Sequence, residues 1–437
     1  MQHPILSIAF LASLASGYWL PETLGKDQFK TCVVPKSKGD DAPTIISTVK
    51  SCGSNSRVVF SAGTEYSLLT PLKFTGLTNV EFQIEGNLTL SDDPAVVSAV
   101  VNNRAIYPGH WITVANSKGV TFTATTSQGG GWINGHGDKW WSSANVSSNN
   151  GRPHMFSFGV TSLRLRGLKI LNPVAWCFSM GGQDLYMTDT VLDARSKNGF
   201  PFNTDGIDVG GSDVVIDGWT SWNGDDIINV SPPAVNVTMR NVVGYGTHGI
   251  SVSCASGSGS GYLFENAEIH DSLLGARFKG SVGTTCQISD VTWRNFTITN
   301  TAYPIHFIED YVDQEKGAAG KDASLAAFAK NFHWENIKAH TGTGLKDGSC
   351  TSSPCWSQSL GASTKKGLYL MCKDAAHCQD FTFKDITLVA ADGSAGEMEC
   401  VGLEGATGLG IPCTNGTLTG VIADIGVLSV STTYTWD

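Results

Sequence analysis

A short pattern recurs along the central part of the chain and constrains its fold more than any other feature. In each copy, apolar and polar residues alternate up to an Asn, Asp or Gly, and apolar residues then resume. The copies span residues 163–168, 214–219, 237–242, 262–267, 292–296, 333–337 and 382–386. Because Asn, Asp and Gly tolerate left-handed backbone angles, the pattern predicts a short strand that turns sharply and continues as a second strand.

The spacing of these turns predicts the architecture. Gly218, Asn241 and Asn266 lie 23 and 25 residues apart, a repeat length typical of a solenoid. Strand alternation within each repeat indicates stacked parallel strands, so we expect an all-β, right-handed parallel β-helix. One coil cannot bury its inward face alone, and residues 17–437 are therefore expected to form a single domain. Wider gaps, such as that between Asn295 and Asn336, are expected to hold loops beside the binding face.

Composition supports this class and excludes others. The 437 residues include 50 glycines and only 16% charged residues, unlike a helical bundle. The formal net charge of −10 argues against a nucleic-acid partner, because such proteins usually carry a basic face. Helices are predicted only at residues 41–52, where one would cap the open end of the solenoid, and at residues 323–330.

The N-terminal segment and the cysteines predict secretion. Residues 1–16 have a short apolar core followed by small residues, as a signal peptide does, although a buried strand or helix remains an alternative. No later apolar run reaches the ~20 residues that span a bilayer, so no membrane association is expected. Eleven cysteines fit an oxidising, extracellular compartment.

Sequence proximity suggests how the cysteines pair. The expected disulfides are Cys32–Cys52, Cys254–Cys286, Cys350–Cys355, Cys372–Cys378 and Cys400–Cys413. Cys177, in an apolar run, is the expected free and packed thiol. Six sequons fit a glycoprotein: Asn87, Asn145, Asn229, Asn236, Asn295 and Asn415. We expect no glycan on Asn229, because it lies beside a carboxylate cluster.

Four polar clusters follow one another at the repeat spacing. They are Asn203-Thr204-Asp205, Gly224-Asp225-Asp226, Thr247-His248-Gly249 and Arg277-Phe278-Lys279. Equivalent positions on successive coils stack about 5 Å apart, so these side chains are expected to converge in one groove. Carboxyl groups on both sides of a sugar linkage can hydrolyse it, and two cations suit an anionic sugar. Taken singly, each residue also fits an ordinary turn or loop role.

These ordered clusters resemble glycoside hydrolase family 28, the polygalacturonases and related pectin hydrolases, over about residues 32–413. The resemblance extends upstream to Ile133-Asn134-Gly135-His136-Gly137 with Trp140-Trp141, and to Arg152-Pro153 and Asn172-Pro173. It implies the same β-helix and a single displacement with inversion at α-1,4-galacturonosidic bonds of pectin. No metal or other cofactor is implied.

The resemblance also implies roles for the site residues. Asp225 would be the general acid, Asp205 and Asp226 would hold and deprotonate the attacking water, and His248 would tune the acid. Inverting enzymes keep acid and base about 6.5–9.5 Å apart to admit that water. The residues expected to bind substrate are Asn203, Arg277, Lys279 and Tyr303, with the two cations gripping the galacturonate carboxylate.

Departures from the family pattern bear on the subtype. Ile227 stands where many members have a cysteine, and Phe278 replaces an aliphatic residue between the cations. Gly224 replaces the Gln typical of endo-acting members and resembles exo-acting ones. We therefore expect a monomeric, secreted exo-polygalacturonase. The alternatives are an endo-polygalacturonase, a xylogalacturonan hydrolase or a rhamnogalacturonan galacturonohydrolase and, from other classes, a β-helix polysaccharide lyase or a non-catalytic carbohydrate-binding β-helix.

Overall fold

The chain winds into a parallel β-helix, as the repeat predicts. The computed structural model describes residues 29–142, 151–311, 322, 324–351, 356–357, 363–404, 413–414 and 416–418. Each long strand pairs in parallel with the strand one coil further along. Val214, Val237, Tyr262 and Val291, for example, are successive partners across four coils.

Strands make up most of the described chain. The first strands are β1 Lys30–Val33, β2 Ser56–Phe60, β3 Glu65–Ser67, β4 Leu72–Thr75, β5 Thr78–Ile84, β6 Asn87–Thr89, β7 Ile112–Ala124, β8 Trp132–Asn134, β9 Phe156–Arg166, β10 Lys169–Leu171 and β11 Phe178–Asp193. The central strands are β12 Ile207–Val209, β13 Ser212–Trp222, β14 Ile228–Val230, β15 Val235–Tyr245, β16 Ile250–Cys254, β17 Gly257–His270, β18 Leu274–Ser281, β19 Cys286–Thr301 and β20 Tyr303–Tyr311. The last are β21 Ala327–Thr341, β22 Lys366–Met371, β23 Cys378–Val389, β24 Glu397–Val401, β25 Cys413–Thr414 and β26 Thr417–Leu418.

A ladder of amides explains the repeating Asn. Asn241, Asn266, Asn295 and Asn336 all have positive φ, between 50° and 59°, at the point where a long strand turns. Each side-chain amide donates to the ladder residue one coil earlier: Asn266 to Asn241 at 3.4 Å, Asn295 to Asn266 at 3.1 Å and Asn336 to Asn295 at 2.9 Å. Asn is therefore favoured by both the left-handed conformation and the side-chain bond.

Inward-facing side chains fill the solenoid with stacked columns. Trp293, Trp334 and Phe383 stack with ring centroids 5.3 and 4.6 Å apart. Phe278 points into the same core and stacks on Phe307 at 4.3 Å. Because alternate residues of a strand face opposite sides, the inward Phe278 directs its two neighbours outward. Its replacement of an aliphatic residue therefore changes the core and not the groove.

The helices agree only partly with the prediction. Helix α1, Ala42–Cys52, forms as expected, buries Ala42, Ile45 and Val49, and packs against the first strands. Helix α2, Pro94–Asn102, was not predicted; Asp93 caps it by accepting a bond from Ala95 N. The prediction of a helix at residues 323–330 is wrong, because the part from Ala327 onward is the start of β21 and pairs with β19.

The cysteine pattern is confirmed where the structure describes it. The disulfides are Cys32–Cys52, Cys254–Cys286, Cys372–Cys378 and Cys400–Cys413. Cys350 is also disulfide-bonded, whereas its expected partner Cys355 lies outside the described residues. Among the cysteines that the structure describes, Cys177 alone is a free thiol, and it is buried.

Three further predictions concern the chain's surroundings. The expected signal peptide, residues 1–16, and the sequons Asn145 and Asn415 lie outside the described residues. Asn229 is half-buried, and its side chain bonds to Asp208 and Ser253. Within the described ranges, no helix has the length and apolar character needed to cross a membrane.

Candidate active site

The strands β12, β14, β16 and β18 form one face of the solenoid, and their register brings the polar clusters together. Ile207, Ile228 and Ile250 are successive inward-facing partners on this face. The residues just before them are therefore also neighbours: Gly206 N donates to Asp226 O at 2.8 Å, and His248 N donates to Asp225 O at 2.9 Å. This brings Asp205, Asp226 and His248 together. The predicted convergence of distant residues thus follows directly from the strand pairing.

The adjacent Asp225 and Asp226 lie in a turn that precedes β14. The Asn223 side-chain amide donates to the carbonyl oxygens of Asp225 at 2.8 Å, Thr204 at 3.1 Å and Asp226 at 3.2 Å. This turn removes the strand alternation that would send the two carboxylates to opposite faces. One carboxylate oxygen from each of Asp205, Asp225 and Asp226 lies within 4.8 Å of the other two.

Asp226 is fully buried among cations. Its carboxylate accepts a bond from Lys279 Nζ at 2.5 Å, from Ser251 Oγ at 2.6 Å and from Arg277 Nη1 at 3.2 Å. Arg277 is only 1% exposed, and the rings of Tyr311 and Trp356 lie 5.3 and 5.5 Å from its guanidinium carbon. In the free protein, the cations predicted to grip a substrate carboxylate therefore hold a carboxylate of the protein itself.

Asp225 is bound to a buried imidazole. His248 Nδ1 lies 3.0 Å from Asp225 Oδ1, and His248 Nε2 lies 2.9 Å from Asp347 Oδ2. Asn203 Nδ2 donates to the other oxygen of Asp225 at 3.3 Å, and Arg152 Nη2 donates to Asn203 Oδ1 at 2.7 Å. Asn203 and His248 thus fix the Asp225 carboxylate from two sides.

These contacts shift the pKa values of neighbouring groups in opposite directions. Burial, followed by repulsion from Asp225, raises the pKa of Asp205 well above its usual range. Burial also disfavours ionised Asp225, but the adjacent His248, Lys279 and Arg277 outweigh it and lower the Asp225 pKa. Asp225 and Asp347 together raise the pKa of His248 to about 10 against the effect of burial. The free site therefore holds an imidazolium between two carboxylates.

The carboxylate spacing differs from the expectation for inversion. The nearest oxygens lie within 4.8 Å, closer than the expected 6.5–9.5 Å. The short spacing has two causes: Asp225 and Asp226 are adjacent in one turn, and Asp205 lies one coil away, at about 4.8 Å. An attacking water would therefore sit among three carboxylates and not in a gap between two.

Tyr303 is covered by neighbouring residues. Tyr303 is only 1% exposed, and its hydroxyl donates to Ser357 O at 2.8 Å. It packs in a small apolar cluster with Leu274 and Trp356, so its position does not support a sugar contact. Asp208, which the sequence reasoning did not single out, is the second residue of β12, three positions after Asp205, and burial raises its pKa to about 7.

Asp347 is the other residue that sequence reasoning missed. It lies 99 residues after His248, in a loop between β21 and β22. The loop interrupts the coil repeat, so no spacing argument could link the two residues. The only local signal is the Asp347-Gly348-Ser349 sequence, in which Asp347 Oδ1 accepts bonds from Ser349.

The same loop approaches the strand edge beside Gly224. A Cβ on Gly224 would lie 2.5 Å from Pro201 O and 2.9 Å from the Phe200 ring, so a larger residue cannot fit without moving that segment. A Cβ on Gly348 would lie 2.3 Å from Phe200 Cβ. Phe200 therefore joins two loops into a wall at this edge of the groove.

Neither metal-like cluster of the described residues is a convincing cation site. The carboxylates of Asp205, Asp225 and Asp226 already neighbour Arg277 and Lys279, whose charges oppose a further cation. The second cluster combines Glu309 with two cysteines that are joined in a disulfide, which removes their thiolates as ligands.

The sequence matches a known family over most of its length. Residues 52–355 match the model of glycosyl hydrolases family 28. A probable exopolygalacturonase C of Neosartorya fischeri is 31% identical over 431 residues, with 94% of this chain and 97% of the relative covered. A probable exopolygalacturonase C of Aspergillus flavus is 31% identical over 437 residues, covering 95% and 99% of the two chains.

Solved structures share the fold. The endo-xylogalacturonan hydrolase from Aspergillus tubingensis superposes with a TM-score of 0.72 at 24% identity, covering 89% of this chain and 99% of that chain. An exopolygalacturonase from Thermotoga maritima gives 0.61 at 12% identity, covering 86% and 92%. The family match, the full-length relatives and the shared fold together establish that this chain belongs to glycoside hydrolase family 28.

Proposed function

We propose that this protein is a secreted exo-polygalacturonase, which releases galacturonate from the end of α-1,4-linked galacturonan by single displacement. The observation that carries the proposal is the register of β12, β14 and β16, which stacks Asp205, Asp226 and His248 beside Asp225. Two buried cations in the same groove suit a substrate that is itself an anion. The two 31% identical relatives, both named exopolygalacturonases, support the same substrate and mode.

Substrate binding would redistribute the charges of the site. The carboxylate of the sugar at the cleaved bond would compete with Asp226 for Lys279 and Arg277. Those cations, together with His248, are what hold the Asp225 pKa down in the free site. An added substrate carboxylate would offset them, so the Asp225 pKa would rise when the substrate binds. Asp225 would thus become protonated in the substrate complex, in which it must donate a proton.

In the chemical step, the Asp225 carboxyl would donate its proton to the glycosidic oxygen as the bond to the anomeric carbon breaks. A water held by Asp205 and Asp226 would attack that carbon from the opposite face and give its proton to this carboxylate pair. One displacement inverts the anomeric configuration, as is general for this family. General acid and base catalysis of this kind contributes about 10²–10⁴-fold each.

His248 would hold a proton beside the acid, Asp225. Its imidazolium lies 3.0 Å from Asp225, and Asp347 stabilises that charge from the other ring nitrogen. Asp347 touches neither the scissile bond nor the water in this scheme, so it is a positioning residue. It keeps the imidazole oriented and charged.

Replacing Asp347 with Asn is expected to change the pH dependence more than the rate. The amide oxygen can still accept the His248 bond, but the negative charge is lost, so the His248 pKa falls. We expect the alkaline limb of the pH profile of kcat/KM to move down by about 1 unit, with kcat at acidic pH within about threefold of the wild type. Asp271→Asn is the control, because Asp271 and Asp347 line one cavity, but the Asp271 carboxylate accepts a bond from Asn300 Nδ2 at 2.6 Å. An unchanged alkaline limb in Asp347→Asn would contradict the proposed link.

The exo mode is supported by the wall at one edge of the groove. Gly224 leaves room for Phe200, and Phe200 packs against Gly348 of the loop that carries Asp347. Time-resolved product analysis on polygalacturonate tests this mode. Galacturonate alone from the first time points is expected, whereas an early ladder of oligomers would indicate endo cleavage. An unsaturated product that a chelator abolishes would instead identify a lyase.

Secretion and glycosylation are part of the proposal. Four described disulfides and one further disulfide-bonded cysteine, Cys350, fit an oxidising compartment such as the extracellular space around plant cell walls. Of the described sequons, Asn236 and Asn295 are exposed and Asn87 is half-buried, so these are the proposed glycan acceptors. Asn229 is excluded, because its side chain lies between Asp208 and Ser253 on the face that carries the carboxylates. A monomer with a pectic polysaccharide as its only partner is proposed.

A further inference from the structure

The column of residues that carries the catalytic carboxylates continues past Asp205 with aromatic side chains. Ile112, Phe156, Phe178 and Ile207 are successive inward-facing partners on the same face of the solenoid. The residues two positions before the first three are His110, His154 and Trp176. Trp176 is therefore the structural equivalent of Asp205 on the neighbouring coil, and His154 is its equivalent one coil further.

These three rings are in contact one after another. Trp176 stacks on His154 at 4.5 Å with an interplanar angle of 29°, and His110 meets His154 edge-on, with centroids 5.3 Å apart and an interplanar angle of 65°. The backbone fixes the stack, because Met155 N donates to Trp176 O at 3.0 Å and Cys177 N donates to Asp205 O at 2.9 Å. Trp176 is nevertheless 40% exposed. It therefore presents a rigid indole to the solvent next to the reacting groups.

A pyranose ring has the shape and polarity that this surface would recognise. Its axial C–H groups form an apolar face of about the area of one indole, while its hydroxyls remain in water. Successive coils are about 4.8 Å apart, so the indole lies one sugar-sized step from Asp205, on the side opposite to Arg277 and Lys279.

The two histidines in this row favour the neutral form. Burial lowers the pKa of both His110 and His154 to about 4. The nearby Arg152 donates to Phe202 O at 2.8 Å and to Asn203 Oδ1 at 2.7 Å. The chemistry on this side therefore favours recognition of the sugar's apolar face, whereas the carboxylate is recognised on the side of Arg277.

We propose that Trp176, supported by His154 and His110, is a sugar-binding platform that holds the pyranose ring on the Asp205 side of the cleaved bond. This inference rests on the proposed function and deepens it. Substrate would then be bound on both sides of the carboxylates, by ring stacking on the Trp176 side and by charge pairing on the Arg277 side. The occupant is a uronic acid or neutral pyranose of the pectic chain, bound by its C–H face.

The test replaces Trp176 with Ala and with Phe in the full-length protein. We expect Trp176→Ala to raise KM for trigalacturonate about tenfold, and Trp176→Phe to recover most of the loss, because the phenyl ring keeps a stacking surface. The same tenfold loss is expected in the calorimetric Kd of trigalacturonate when both proteins also carry Asp225→Asn. An unchanged thermal midpoint would establish that the exposed residue was removed without loss of folding.

Phe328→Ala is the matched control. Phe328 is 37% exposed and lies over His377 at 5.1 Å, but it stands on β21, outside the groove-forming strands. KM and Kd within twofold of the wild type in Trp176→Ala, or an equal loss in Phe328→Ala, would overturn the platform. If the wild-type protein itself releases no galacturonate, the proposed function fails instead, so the two failures are distinguishable.

Discussion

Replacing Asp225 with Asn is expected to lower kcat on polygalacturonate by about 10²–10⁴-fold, the contribution of a general acid. The amide cannot donate a proton of comparable acidity to the glycosidic oxygen. Asn203 and His248 can still contact the new side chain, so the geometry of the turn is preserved. The measurement is the initial rate of reducing-end release at the pH optimum, with binding of trigalacturonate as the check that the site remains formed.

A substrate with a good leaving group distinguishes the acid from the base. An aryl α-galacturonide such as the nitrophenyl derivative needs little protonation, so Asp225→Asn should retain most of its activity on it. Asp205→Asn should lose activity on both substrates, because the attack of water is still required. The reverse pattern, with Asp205→Asn rescued by the aryl substrate, would exchange the two roles. In the free site the pKa of Asp205 is raised and that of Asp225 is lowered, so the comparison also tests whether bound substrate reverses the two.

Replacing Asp226 with Asn is expected to damage both stability and catalysis. The substitution leaves Arg277 and Lys279 buried without the carboxylate that neutralises them. Breaking a buried ion pair in this way costs about 3–5 kcal/mol of unfolding free energy. A fall in kcat of about 10²-fold or more should accompany it, because the attacking water loses one of its two holders. Denaturant titration and initial rates measure the two effects.

Asp380→Asn provides the matched control. Asp380 pairs with Lys330 at 3.7 Å, but both side chains are more than half exposed. Its φ is 55°, a conformation that Asn also tolerates, so the backbone should not be disturbed. An exposed pair of this kind contributes about 0–1 kcal/mol. A loss in Asp226→Asn no larger than that in Asp380→Asn would contradict the buried charge network described here.

The fold was predictable because each repeat contains the residue that produces its own turn. The positive-φ turns at Asn241, Asn266 and Asn295 require a residue that tolerates that conformation, and the amide ladder adds a reason for Asn. Once the coil length is known, residues at multiples of it must lie close together. Asp205, Asp226 and His248 could therefore be placed in one groove before any contact was known.

The features that the sequence did not predict depend on loops, where residue spacing does not indicate which residues lie close together. The loop that carries Asp347 enters the site from outside the repeat, so its bond to His248 has no counterpart in sequence spacing. Tyr303 occupies a strand position that the repeat would assign to the groove, but Trp356 and Ser357 cover it. Helix α2 was missed because it also lies between coils, and its Val-rich sequence fits a strand equally well.

The central claim is a single displacement at an α-galacturonosidic bond by three aspartates. Its most direct test is time-resolved proton NMR of the first product released from polygalacturonate, recorded before mutarotation equilibrates the anomers. The account predicts free β-galacturonate as the initial product, since one attack by water inverts the α-linkage. Initial release of the α-anomer would contradict it, because retention requires a covalent intermediate and a carboxylate that acts as the nucleophile.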